Sequence, residues 1–212
     1  ADALKLEDEV RVVRVRADAM QAAVPVGTGG MAAVLGLSDE AVKAVCQQAA
    51  QGEIVEAVNF NAPAQVVIAG HKAAVERACE LAKAAGAKRA LVLPVSAPFH
   101  SSLLKPAALV LERALADIAL QTPAIPLVNN VDVQSPLEPA AIKDALVRQA
   151  WHSVRWVETI QAMKAQGVTH VVECGPGKVL NGLTKRIDGD LVGLAISDPA
   201  SLESALETLQ GN

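Results

Sequence analysis

From Met31 to Val95 the chain alternates strand-like and helix-like hydrophobic patterns in an order that few folds accommodate. "MAAVLG" is a short apolar strand, and "SDEAVKAVCQQAA" opens a helix with Ser38 as its N-cap and acidic residues in its first turn. "VEAVNFN" and "QVVIAG" read as two strands turned by "AP". "HKAAVERACELAKAAG" is a helix ended by Gly86, and "KRALVLPV" a closing strand. The sum is β-α-β-β-α-β, the split βαβ or ferredoxin-like arrangement, in roughly 65 residues. Such a unit is compact enough to be an insertion within a larger domain.

The flanking sequence has a different rhythm. Residues 7–24 read as a helix despite their many valines, and "PVGTGG" (25–30) as a linker. After residue 95 the patterns predict a helix at 103–118, a strand "IPLVNNV" at 125–131, and helices at 138–151 and 154–167. A strand "VTHVVEC", a tight turn "GPGK", a helix "VLNGLTKRI", a strand "DLVGLAI" and a final helix "PASLESALETLQ" follow. This alternation predicts an α/β layer on a mainly parallel sheet. With two Phe, two Trp and no Tyr against 51% hydrophobic residues, the core must be built from Val, Leu, Ile and Ala.

Several function classes fall away. A net charge of −4 with mixed signs offers no basic surface for nucleic acid, and the few aromatics give no platform for stacking bases. No apolar run approaches a membrane span. Cys46, Cys79 and Cys174 are odd in number and far apart, which argues against a disulfide framework and for a reducing, cytoplasmic setting. No His or Cys pair has metal-ligand spacing, so no metal is expected.

The candidate residues are few. In helix 7–24 the periodicity predicts an inward arc of Val10, Val13, Ala17, Met20 and Val24, extended by Val12 and Ala23, with Arg16 at its middle and Arg11, Arg14 and Asp18 on the solvated side. A guanidinium aimed at an apolar side is costly unless it meets an anion, and its planar fork suits a carboxylate. A structural salt bridge, or a packed stem with the head in water, is the commoner outcome. His100, in "VSAPFHSSL", lies just past a strand end, where active-site residues tend to stand; a polar turn residue is the ordinary alternative. Ser96, Ser101 and Ser102 are too near it to form an obvious pair, and no G-x-S-x-G elbow occurs in the chain. Asn59 and Asn61 alternate along one strand and so share a face, able to bind a ligand or to shape the turn at Pro63. "ECGPGKVL" fails the phosphate-loop pattern at Val172 and Val179 and reads as a turn. Spacing alone gives Gln149 no role.

Taken together, "RADAMQAAVPVGTGGMAAVLGL", "VNFNAPAQVVIAG", "PVSAPFHSSLLKPA" and "VECGPGKVLNGLTKRI", in this order and spacing, resemble the malonyl-CoA:acyl carrier protein transacylases of bacterial type II fatty acid synthesis. The resemblance runs from the first helix to the last strand. It implies an α/β fold: an α/β-hydrolase-like large subdomain, N-terminally incomplete, from residues 1–26 and 97–212, with a ferredoxin-like βαββαβ small subdomain inserted at 27–96. It implies ping-pong acyl transfer, in which a serine takes the malonyl group from malonyl-CoA and the phosphopantetheine thiol of acyl carrier protein collects it. Carried over, His100 is the general base and Gln149 supplies the backbone carbonyl that orients it. Arg16 holds the malonyl carboxylate, and Phe99 resembles the bulky residue associated with malonyl over methyl-branched units. Asn59 and Asn61 fall on the strand facing the cleft. No cofactor is implied beyond the substrate malonyl-CoA; the expected partner is acyl carrier protein, and the expected state of the full enzyme is a monomer.

One departure is large. The family's serine lies in a "GHSLGE"-type elbow that would fall shortly before Ala1, and the "PGQGSQ"-type segment supplying part of the oxyanion hole is also absent. Loss of an oxyanion donor alone removes roughly 3–4 kcal/mol of transition-state stabilisation. A sequence that starts "ADALKLEDEV", without Met, is therefore expected to be a segment of a longer enzyme, inactive alone, whose sheet lacks its first strands and bares an apolar face. The competing expectations are a non-catalytic carrier-protein or CoA-binding fragment, and the acyltransferase domain of a polyketide synthase (PKS) or a malonate decarboxylase subunit. The terminal helix ending "LQGN" favours a stand-alone enzyme. RNA binding by the ferredoxin-like unit is disfavoured by its missing aromatics.

Overall fold

The structure, a computed structural model, describes residues 1–211. The chain divides into two compact units, residues 1–156 and 157–212.

In the first unit, α1 (Leu6–Ala22) precedes a four-stranded sheet made by β1 (Gly29–Leu35), β2 (Val55–Ala62), β3 (Gln65–His71) and β4 (Arg89–Val92). Helices α2 (Asp39–Ala50) and α3 (Lys72–Ala84) connect β1 to β2 and β3 to β4. The strand order is β2-β3-β1-β4, with every pair antiparallel. The strand period of two sorts each strand onto two faces. Ala32, Val34, Val66 and Ile68 face Val42, Val45 and Ala49 of α2 and Val75, Ala78 and Cys79 of α3 in one core. The intervening residues Met31, Val67 and Ala69, with Val58, form a second cluster against Leu93 and Phe99. That second face is the one that carries the site. The expected cap is present: the Ala41 N–H donates to Ser38 Oγ at 3.2 Å.

Beyond the sheet, a 3-10 turn (Ser102–Leu104) leads into α4 (Lys105–Ala116), and α5 (Pro139–Gln149) follows. Helices α1 and α4 pack together, Met20, Val24, Leu104 and Ala107 forming one cluster with Ala19 and Ala23. The second unit contains most of α6 (Trp156–Ala165), then β5 (His170–Cys174), α7 (Val179–Ile187), β6 (Val192–Ile196) and α8 (Pro199–Gln210). Its two strands pair in parallel, with α7 as the crossover that parallel pairing requires.

Four expectations are corrected. Gly29 and Gly30 are not linker but the first residues of β1. The strand expected at 88–95 holds its ladder only over 89–92. "IPLVNNV" forms no strand: a strand exists only by pairing, and no described strand pairs with it. The inward arc of α1 is rotated from the expected one. Met20 and Val24 are buried, but Val10 and Val13 are 62% and 65% exposed. The packed side runs instead through Val12, Ala19, Met20 and Ala23, because that side meets α4. Leu6, Val10, Val13 and Ala17 are left as an exposed apolar stripe.

All three cysteines are free. Among the described residues no helix is long and apolar enough to cross a membrane. Near the end of β3, where Gly70 pairs with Val55 at the start of β2, there is no room for a side chain: a Cβ on Gly70 would run into the Ile54 carbonyl. Gly70→Ala is therefore expected to destabilise the chain by about 2–3 kcal/mol, the usual scale of overpacking. Thermal or urea unfolding reads it, and a melt unchanged from the parent would show that the backbone at Ile54 yields freely.

Candidate functional site

After β4 the chain crosses under the sheet through a tight, buried turn. Ala97 and Pro98 are buried, and a Cβ on Gly29 would collide with the Pro98 ring, so the glycine at the start of β1 makes room for this turn. Phe99 packs into two clusters, with Met31 and Val58 of the sheet and with Met20 and Leu104 of the helical side. The Ser101 hydroxyl, fully buried, donates to the Pro98 carbonyl at 2.7 Å and closes the turn. Between them His100 adopts φ +63°, in the left-handed region that residues with a Cβ rarely occupy.

The His100 ring is fixed from a distance. Its Nδ1 lies 3.1 Å from the backbone oxygen of Gln149, forty-nine residues away. A carbonyl only accepts, so Nδ1 carries the proton and donates, and Nε2 is left with its lone pair. The acceptor is available for a local reason: Gln149 is the last residue of α5, and the final carbonyls of a helix have no partner within it. The end of that helix is itself anchored, Arg148 donating to both carboxylate oxygens of Asp132 (2.7 and 2.6 Å) and to Asp144 (2.7 Å). Burial pushes the His100 pKa below the ordinary 6.5, and the Arg16 charge pushes it the same way. Hydrogen bonding of the ring to the backbone of Gln149 and His152 opposes both. The neutral imidazole is the form favoured near pH 7.

Arg16, half-buried on α1, shares an open cleft of about 510 Å³ with Met20, Gln21, Met31, Asn59, Phe99 and His100. Burial lowers its affinity for its proton. Of the residues singled out in the sequence, four therefore meet in one cleft: Arg16, Asn59, Phe99 and His100. Gln149 stands outside the lining and contributes its carbonyl. Asn61 does not line the cleft. β2 carries two irregularities of register, between Ala57 and Asn59 and between Phe60 and Ala62, which break the alternation that would have given Asn59 and Asn61 a common face. Gln21 and Met31 were missed. Nothing in the helix pattern marks Gln21, and the alternation that separates Met31 from Ala32 does not say which sheet face meets the cleft.

Neither of the two serines that follow His100 is free to act with it. Ser101 Oγ is engaged with Pro98, and Ser102 Oγ donates to Glu56 Oε1 at 2.8 Å. Among the described residues no three His, Cys, Asp or Glu side chains cluster as a metal site. A neutral imidazole with a free Nε2 and a guanidinium in one cleft can take a proton from a nucleophile beside a substrate that bears an anion.

Residues 1–187 match the family described as acyl transferase domain. The malonyl CoA-acyl carrier protein transacylase of Salmonella typhimurium is 53% identical over 206 residues, covering 97% of this chain and 67% of that protein. The crystal structure of an acyl-carrier-protein S-malonyltransferase from Burkholderia pseudomallei is 64% identical with a TM-score of 0.96, covering 98% of this chain and 67% of that one. A malonyl-transacylase in complex with its type II PKS acyl-carrier protein is 50% identical with a TM-score of 0.97, over 98% and 67% of the two chains. The chain thus spans about two thirds of the length of these relatives.

The field of Arg16 on His100 gives a direct test. Removing a cation that repels the imidazolium must raise the His100 pKa, from below 6.5 back toward it, while burial remains. Arg16→Gln is expected to shift the ring-proton titration midpoint of His100 upward in NMR spectra. An unmoved or lowered midpoint would show that the guanidinium does not face the ring.

Proposed function

The chain belongs to the malonyl-CoA:acyl carrier protein transacylases, enzymes of the acyl transferase domain family, and on that premise we propose that its cleft holds the base and the carboxylate clamp of malonyl transfer. The observation that carries this is the His100 Nδ1 to Gln149 carbonyl bond, made by a ring that lines the same cleft as Arg16. His100 Nε2 takes the proton of a serine hydroxyl as its oxygen attacks the malonyl thioester. The C–S bond then breaks, and the imidazolium returns the proton to the departing thiolate of coenzyme A. In the second half the phosphopantetheine thiol of acyl carrier protein gives its proton to the same nitrogen and attacks the malonyl-serine ester. The serine oxygen leaves and recovers the proton. The carbonyl of Gln149 fixes the tautomer and the ring plane, the orienting task of the acid in a Ser-His-Asp triad, without placing a second charge beside the imidazolium. The lowered pKa of His100 keeps the base unprotonated, so transfer is expected to decline as pH falls through that lowered value.

Arg16 pairs its guanidinium with the free carboxylate of the malonyl group, and Phe99 and Asn59 shape and line the pocket around it. Asn61 has no part in the proposed site. The serine is read as supplied by sequence beyond these 212 residues, which the engagement of Ser101 and Ser102 elsewhere supports. Residues 27–96 are read as a ferredoxin-like small subdomain, supported by the strand order β2-β3-β1-β4. Residues 1–26 with 97–212 are read as belonging to an α/β-hydrolase-like large one.

Two measurements test the proposal. In titration calorimetry Arg16→Ala is expected to weaken malonyl-CoA binding roughly 30- to 150-fold, the loss of a charge-assisted pair worth about 2–3 kcal/mol, and to leave acetyl-CoA binding unchanged. Equal losses for both ligands would remove the clamp. Intact mass spectrometry after incubation with malonyl-CoA should show no malonyl adduct on the 212-residue chain alone. A covalent malonyl group on it would overturn the external serine.

A further inference from the structure

We propose that Glu56 is a positioning residue whose carboxylate, on β2, holds the turn that presents His100. The proposal rests on the reading of His100 as the base, which gives that position its purpose. Both Glu56 oxygens are spent on Ser102, a residue 46 positions further along the chain and two past His100. Oε2 accepts the Ser102 backbone N–H at 2.8 Å and Oε1 accepts its hydroxyl at 2.8 Å. Bonds to an ionised acceptor are the stronger kind, and two from one carboxylate to one residue fix orientation as well as distance. The N–H that Glu56 takes belongs to the first turn before α4, where backbone donors have no partner of their own, so the carboxylate caps this turn from a remote strand.

The same strand holds the other half of the pair. Val154, five residues past Gln149, donates its N–H to the Val58 carbonyl at 2.8 Å and accepts from the Phe60 N–H at 2.9 Å. Positions 56 and 58 are separated by about 7 Å along a strand. The turn carrying His100 and the segment following its carbonyl partner therefore hang from adjacent points of β2. A left-handed histidine does not keep that backbone by its own preference. Its ring meets Gln149 only if both flanks are held, and Glu56 is the side chain of β2 that ties down the nearer one.

The test reads the His100 ring itself, without substrate. Imidazole ¹⁵N spectra of the unchanged chain, above the His100 midpoint, should show one tautomer protonated at Nδ1. Glu56→Ala is expected to lose that signature and show both tautomers exchanging. Glu56→Gln, whose amide can accept the Ser102 N–H and donate to its hydroxyl, is expected to restore it. Ser102→Ala removes one of the two bonds while leaving Glu56 in place, and is expected to give a mixed signature at an almost unchanged melting temperature. It decides the matter if Glu56→Ala does not fold. A single Nδ1-protonated tautomer persisting in Ser102→Ala and in any folded Glu56→Ala would reduce Glu56 to a structural brace and overturn the proposal. The Arg16→Ala binding preference does not depend on this result, so the two readings fail separately.

Discussion

His100 occupies a backbone conformation that costs a residue with a Cβ about 1–2 kcal/mol, and the surrounding structure supplies the restraint that keeps it there. The Pro98 ring is seated over Gly29, and the Ser101 hydroxyl closes the turn. Phe99 is wedged between the sheet and the α1–α4 pair. Each of these is an ordinary packing or hydrogen-bonding term. Together with the Glu56 bonds to Ser102, they hold the turn from which the imidazole reaches the end of α5. The four-stranded sheet thus has two duties, one per face. One face buries α2 and α3 in a core of their own; the other gives the site its floor through Met31, backed by the buried Val58.

Much of this architecture was legible in the sequence. The β-α-β-β-α-β rhythm appears with its strands in the expected order of elements, and "VLNGLTKRI" and "PASLESALETLQ" are helices over the residues expected. Periodicity succeeds there because each element meets its partner within a short stretch of chain. It failed for "IPLVNNV", whose pattern suits a strand but which finds no strand to pair with among the described residues. It also failed for the azimuth of α1: the helix has apolar residues on more than one side, and contact with α4 selects among them. The periodicity could not foresee that choice.

The site was legible in its side chains more than in its backbone. Arg16 and His100 stood out because a cation among the apolar positions of a helix and a histidine past a strand each ask for an explanation. Asn59 and Asn61 looked equivalent under strict alternation, and the register shifts of β2 separate them. Glu56 gave no sequence signal, because its partner lies 46 residues away and only the fold brings Ser102 to it.

The orienting bond to His100 ends on a main-chain oxygen, and that changes what heredity can see of the site. Every amino acid carries such an oxygen, so the bond places no demand on which residue stands at 149. What must persist is the point in space where the helix stops. That point is written in the Arg148–Asp132 clasp and in the pairing of Val154 with β2. The site's third member is thus encoded in the length and anchoring of a helix rather than in a letter of the sequence.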